Sequence, residues 1–252
     1  MDIQVLLDWE SRAQITGWDF SVIDQYYTQE DPPWDYRQEI LSRLRSDMQI
    51  LDMDTGGGEF LLTLGHPYDK TSVTEAYAPN VALCRRTLSP LGIRVEEADG
   101  EGSLPFADGE MDMILNRNGS WNAQEAFRVL KPGGFFITQQ VGDENDWEFV
   151  ELLCPDRPKP FPRQSLPLIR QAFAEAGFEI LEAQEAFPVM RFTDLGALVW
   201  FAHIIEWEFP NFSVMTHLPQ LQRAEELLAR DGEIATHTHR VFLAARKPVI
   251  DP

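Results

Sequence analysis

The chain reads as an α/β protein built on a doubly wound, mostly parallel sheet, and three observations lead there. Short apolar runs alternate with helix-patterned stretches from residue 48 to residue 145, a pattern that parallel strands joined by right-handed crossovers satisfy. The first run, ILDMDTGGG at 50–58, closes on an acidic residue and three glycines. Glycines at a strand-to-helix junction let a ligand lie against backbone and expose amide N–H groups. Two further acidic residues, Glu75 and Asp99, stand at the ends of the next two strands, where an open α/β sheet places its ligand.

Taken in order, residues 1–47 carry Trp9, Trp18, Tyr26, Trp34 and Tyr36 without a strand-like run, and read as an N-terminal helical lid. DPPWDYRQEILSRL (31–44) predicts a turn and then a helix, starting near Asp31 or Pro33. MQILDM is a strand and EFLLTLG a helix; TSVTEA is a strand and PNVALCRRTLSPLG a helix. IRVEEA and MDMILN are strands, QEAFRVL a helix, KPGG a turn and FFITQQV a β-prone strand. LPLIRQAFAEAG (166–177) is an amphipathic helix stopped by Gly177, and FEILEAQEAFPV a long strand. FTDLGALVWFAHIIEWEF predicts a helix with Asp194 or Thr193 near its N-cap. LPQLQRAEELLARDG is another helix, and THTHRVFLAARKP a final, antiparallel strand. The resulting organisation is a single domain over 1–252: lid 1–47, core 48–145, sheet completion by 146–190 and 233–248, and a helical cap inserted at 191–232.

Composition narrows the function. Lys and Arg number 21 against 41 Asp and Glu, a formal charge of −20, which repels a nucleic-acid backbone. RRTL at 85–88 and RVFLAARKP at 240–248 are the nearest approach to a basic run. Cys84 and Cys154 form no CxxC, which points to reduced thiols and away from a zinc site. The N-terminus MDIQVLLDWE lacks a basic region followed by a long apolar core, and LGALVWFAHII (195–205) is too short to span a bilayer. A cytoplasmic protein without nucleic-acid or membrane partners is expected.

The chemistry gathers at the strand ends. Asp52 lies near the end of the first strand, with Gly56 and Gly58 in the bend. Glu75 follows 17 residues after Gly58; an ionised carboxylate offers two acceptor oxygens, which suits the hydroxyl pair of a ribose. Asp99 is placed to accept from an exocyclic amine such as that of adenine. The third glycine of a dinucleotide-binding fingerprint is replaced by Leu61, which argues against a nicotinamide or flavin enzyme.

With ILDMDTGGG, Glu75, Asp99 followed by LPF and DGEMDMIL, and EAFRVLKPGGFFITQQV, the chain resembles the class I S-adenosylmethionine-dependent methyltransferases of small-molecule type, firmly over residues 40–145. That resemblance implies a Rossmann-like fold, S-adenosylmethionine as cofactor, and in-line methyl transfer to a small-molecule acceptor. It assigns the cofactor to Asp52, Asp54, Gly56, Gly58, Glu75, Asp99, Gly100 and Asn116. The family usually has glycine where this chain has Asp54. Asp is among the better non-glycine residues for left-handed backbone, and its carboxylate is expected to face the cofactor's ammonium. The alternative is a weakened pocket in a catalytically degenerate binder; an RNA methyltransferase is disfavoured by the charge.

Displacement at a sulfonium requires no metal and no covalent enzyme intermediate, so the enzyme's contribution is alignment in a dry cavity. A base is needed only where the acceptor must lose a proton. Candidate acceptor contacts are Asn118 after the fourth strand, Gln139 and Gln140 at the end of the fifth, and Trp200, His203 and Trp207. Helical spacing puts those last three on one face, with His203 the candidate catalytic residue; the plainer alternative is a core helix packing its tryptophans. His237 and His239 alternate with threonines on a strand and lack a third ligand, so solvent-facing or edge-strand histidines are expected there and no metal site.

Overall fold

The structure, a computed structural model, describes residues 1–14 and 20–249; Trp18, one of the expected lid aromatics, lies outside them. The chain divides into two compact units. A sheet unit comprises Pro33–Val141, Arg163–Glu185 and Val241–Pro252, and a helical unit comprises Met1–Pro32, Gly142–Pro162 and Ala186–Arg240.

The seven-stranded sheet is built from β1 (Ile50–Met53), β2 (Thr71–Glu75), β3 (Arg94–Glu97), β4 (Met111–Arg117), β5 (Leu130–Val141), β6 (Glu179–Ala186) and β7 (Arg240–Arg246). Their order is β3-β2-β1-β4-β5-β7-β6. The pairs β1–β2, β1–β4, β2–β3 and β4–β5 are parallel. β7 runs the other way: Lys247 N donates to Gly134 O at 2.9 Å, while Gly142 N donates to His239 O at 2.8 Å, so rising numbers meet falling ones. The mixed, mostly parallel sheet expected from the sequence is present. Strand order reverses between β1 and β4, and ligands of such sheets bind outside the strand ends at that reversal.

Every residue of β1 and β2 is buried, as a parallel strand covered on both faces requires. Below the sheet, Phe136, Phe173 and Phe178 form an aromatic core, with ring centroids 4.7 Å apart for the first pair and 5.2 Å for the second. The helix Leu166–Glu175 supplies Ile169 and Phe173 and stops at Gly177, whose φ is +99°.

Some expectations are corrected here. The KPGG segment is not a free turn, because β5 runs through it and the register slips between Met111 and Met113. Gly133, at φ +82°, absorbs that irregularity within the strand. The early helix spans Tyr36–Leu41 and starts at Asp35, whose Oδ1 accepts Gln38 N at 3.1 Å, rather than at Asp31 or Pro33. Trp34 and Tyr36 therefore belong to the sheet unit.

The helical unit holds its own three-stranded antiparallel sheet of Tyr27–Gln29, Val189–Phe192 and Ile234–His237. Residues 1–47 thus contain a strand after all. Both long C-terminal runs break in two, and their halves serve different sheets. Pro188, which has no N–H to give a ladder, marks one break, and its carbonyl accepts Thr238 N at 2.8 Å at the other. Residues 146–162 lie in this unit and not with the large sheet, because Phe149, Val150 and Leu153 pack into one core with Met190, Phe192 and Leu198. The helix Leu195–Ile204 is capped by Asp194, which accepts Ala197 N at 2.9 Å. It ends before Glu206 and Trp207, so the expected shared face of His203 and Trp207 does not exist.

Candidate functional site

The bend after β1 is held from three sides. Asp52, 5% exposed, accepts the Thr55 hydroxyl at 2.6 Å, and burial pushes its carboxyl up to about 6. Asp54 takes the left-handed backbone (φ 52°) in place of the family's glycine. Gly58 holds φ +83°, where a side chain is strained, and a Cβ there would also press on the end of the Leu88 side chain at 2.7 Å; a Cβ on Gly56 meets nothing within 4 Å. Cys84 Sγ donates to Gly56 O at 3.1 Å. The Glu75 carboxylate braces the bend directly. Its Oε2 accepts Gly56 N at 2.9 Å, and its Oε1 accepts Ala76 N at 3.0 Å and Tyr77 N at 2.9 Å. Those bonds leave only part of its acceptor capacity for a ligand.

The loops after β1, β3 and β4 converge on Ser120. Its N–H reaches Asp54 Oδ2 at 2.7 Å, and its hydroxyl lies 2.8 Å from the same oxygen and 3.1 Å from Asp99 Oδ1. Glycines allow the approach: a Cβ on Gly100 would sit 2.2 Å from Ser120 O, and one on Gly119 would sit 2.5 Å from Asp54 Cβ. Asp54 Oδ1 is buried and has no hydrogen-bond partner, and its carboxyl is raised chiefly by desolvation. The loop after β3 is pinned by Arg128, which donates to Phe106 O at 2.8 Å and Leu104 O at 3.0 Å. Arg128 in turn holds the Glu125 carboxyl down at about 2.

Asn116 is fully buried; its Nδ2 donates to Ser120 O at 3.1 Å, and its Oδ1 accepts from Gln140 Nε2 and from Thr138 Oγ1. Asn116 and Gln140 thus support each other inside the sheet unit. Gln139 Oε1 accepts Trp34 Nε1 at 2.7 Å. Asn118 is exposed, has φ 58°, and donates its backbone N–H to Gln139 O at 2.8 Å. The structure therefore brings Asp52, Asp54, Gly56, Gly58, Glu75, Asp99, Gly100 and Asn116 together at the tips of β1, β2 and β4 and just beyond β3. Ser120, Arg128 and Arg117 escape a reading of the sequence. Nothing periodic marks Ser120 or Arg128, while Arg117 could have been found as the residue following Asn116 at the end of an apolar strand.

Trp200, His203 and Trp207 belong to the helical unit. Trp200 is fully buried, its ring 5.9 Å from that of Phe20, and it serves that unit's core rather than an acceptor wall. Trp207 is 38% exposed beyond the helix end. His203 Nδ1 lies 3.9 Å from Glu10 Oε1, in a groove of about 710 Å³ that Gln14 and Ser213 also line. His237 is hydrogen-bonded to Glu148 Oε1 at 2.6 Å. His239 is buried under Phe187, with ring centroids 4.5 Å apart, which corrects the expectation of a solvent-facing or edge position.

Residues 51–138 match the family model of a methyltransferase domain. No curated protein matches the chain. Among solved structures, a protein from Bacillus halodurans described as a candidate methyltransferase is 18% identical, with a TM-score of 0.57 over 84% of this chain and 97% of its own. A candidate sarcosine dimethylglycine methyltransferase from Galdieria sulphuraria is 18% identical, with a TM-score of 0.51 over 84% and 82%. The [4+2]-cyclase SpnF is also 18% identical, with a TM-score of 0.51 over 98% and 94%. At such identities the structures speak for the fold. The residues at the strand tips fit an adenosine with a cationic tail: backbone is open at Gly56, Asp54 Oδ1 lacks a partner, and carboxylates stand at Glu75 and Asp99. Residues 51–138 thus match a methyltransferase domain set on a Rossmann-like sheet, and S-adenosylmethionine is the cofactor that such a domain uses.

Proposed function

We propose that the acceptor is a small molecule and that the tips of β1, β2 and β4, with the loop after β3, hold the cofactor. One observation carries the cofactor assignment: Glu75 and Asp54 both place carboxylate oxygens at a bend whose Gly56 Cα faces open space. Glu75 offers its remaining lone pair to a ribose hydroxyl while fixing the Gly56 amide. Asp99 and Gly100 border the adenine, and Asp54 Oδ1 takes the ammonium of the methionine moiety. Asp52 and Asn116 act one layer below, fixing Thr55 and Ser120.

Bound S-adenosylmethionine supplies a methyl carbon activated by the neighbouring sulfonium. The protein's part is to hold that carbon in line with the acceptor's nucleophile and to exclude water. Asn118, exposed at the tip of β4, and Gln139 are the sheet unit's candidate acceptor contacts. His203, with Glu10 beside it, is the candidate base where the acceptor must lose a proton. A charge of −20 supports a small acceptor over RNA. No helix among the described residues is long and apolar enough to cross a membrane, and we assign the protein to the cytoplasm.

Labelled S-adenosylmethionine incubated with the protein and a fractionated cell extract tests this reading. Label is expected in the small-molecule fraction; label confined to RNA or protein would overturn the acceptor class. A second reading, a cofactor binder without methyl transfer, draws on the Asp54–Ser120–Asp99 contacts across the bend, and label in any fraction would exclude it.

A further inference from the structure

Arg117 is a cation at the tip of β4 with its hydrogen-bonding capacity unspent. Its guanidinium lies 4.4 Å over the ring of Phe60, in the short helix that follows the glycine bend. Phe60 is backed on its own account by Tyr36, with ring centroids 5.3 Å apart and planes at 30°. Tyr36 is anchored by its hydroxyl, which reaches Asn116 O at 3.2 Å and Ile137 O at 3.1 Å. The guanidinium is therefore seated on a fixed aromatic face. Its charge acts on the buried Asp52 carboxyl, but among the described residues no hydrogen bond or close ion pair holds it. In a chain with 41 acidic side chains, an arginine that stacks on a ring in place of pairing is set aside for something else.

The strand register says what lies beside it. Met53 of β1 pairs with Asn116 of β4; Asp54 opens the bend after β1, and Arg117 is the last residue of β4. They carry opposite charges, yet each is turned to a different neighbour, Asp54 to Ser120 and Arg117 to Phe60. Asp54 keeps one carboxylate oxygen without a partner. The strand ends thus carry an acceptor for a cation on Asp54 and, on Arg117, a five-donor fork for an anion whose charge also acts on the buried Asp52. Guanidinium matches carboxylate in planar, two-point geometry, and stacking on an aromatic ring leaves its edge donors free.

Resting on the reading of the strand tips as a cofactor site, we propose that Arg117 binds a ligand carboxylate. Two sources offer that group: the methionine end of the cofactor, whose ammonium would meet Asp54, or a carboxylate-bearing acceptor.

Calorimetric titrations of the wild-type protein, Arg117→Gln and Arg117→Lys separate the cases. The probes are S-adenosylhomocysteine and 5′-methylthioadenosine, which keeps the nucleoside and thioether but lacks the amino-acid end. Glycine is titrated as a third probe into protein saturated with S-adenosylhomocysteine. If the carboxylate is the cofactor's, Arg117→Gln weakens S-adenosylhomocysteine about 10- to 100-fold, as loss of a hydrogen bond to a charged group implies. Arg117→Lys then recovers part of the affinity, and 5′-methylthioadenosine binds all three proteins alike. If it is the acceptor's, S-adenosylhomocysteine is unaffected and glycine binding disappears in Arg117→Gln. Equal weakening of both nucleosides, or no change with any probe, overturns the proposal. Failure of the wild-type protein to bind either nucleoside would instead sink the cofactor reading beneath it.

Discussion

Asp52 shows how a buried carboxylate at a strand tip couples the site to stability. Burial outweighs the Thr55 hydrogen bond and the Arg117 charge, so the folded group protonates near 6 and not near its ordinary 3.8. A raised value in the folded state means the stabilisation is complete below the unfolded value and fades as pH rises through about 6. Asn keeps an acceptor for Thr55 and never ionises. Asp52→Asn should therefore gain roughly 1–3 kcal/mol at slightly alkaline pH and change little near pH 4, as urea denaturation at the two pH values will show. A loss at alkaline pH would mean the ionised carboxylate is itself needed by the fold. Asp52, Glu75 and Asp99 were legible because each closes or follows an apolar run. The partners that now define them, Ser120 and the Gly56 amide, come from strand register, which no local pattern reveals.

The loops are set by backbone proximity as much as by side chains. Three of them meet where Gly100 faces the Ser120 carbonyl and Gly119 faces Asp54. A methyl group on Gly100 must push that carbonyl away, whereas a methyl group on Gly102 meets only Asp99 O, at 3.5 Å. Gly100→Ala is expected to cost about 1–3 kcal/mol and Gly102→Ala under about 0.5, read from denaturation midpoints; equal effects would deny the close packing. Strand and helix alternation over 48–145 was readable because parallel strands buried on both faces give continuous apolar runs. Two helical runs and the two C-terminal runs were read as longer than they are. Pro188, the backbone around Thr238 and the end of the helix at Ile204 interrupt them through hydrogen-bond geometry, and apolar content hides such breaks. In the helical unit the same hiddenness applies to charge. Asn145 donates to both Asp146 and Glu208 at 2.8 Å. Burial raises both of those carboxyls and lowers the nearby Arg240, although Glu208 and Arg240 lie far along the chain from Asn145 and Asp146.

Taken together, the chain is acidic almost throughout, and the ring-stacked guanidinium of Arg117 sits at the strand tips. A surface of charge −20 repels polyanions at ordinary ionic strength, which is why the small-molecule reading and the placement of the cofactor reinforce each other. The order β3-β2-β1-β4-β5-β7-β6 supplies the crevice, the glycine bend supplies exposed backbone, and Asp54, Glu75 and Asp99 supply carboxylates at or beyond the ends of β1, β2 and β3. Backbone amide chemical shifts followed during a titration with S-adenosylhomocysteine test that convergence most directly. Saturable shifts at Gly56, Gly58, Ala76, Gly100 and Ser120 are the predicted result. Binding that leaves those amides unmoved, or no binding at millimolar ligand, would contradict it.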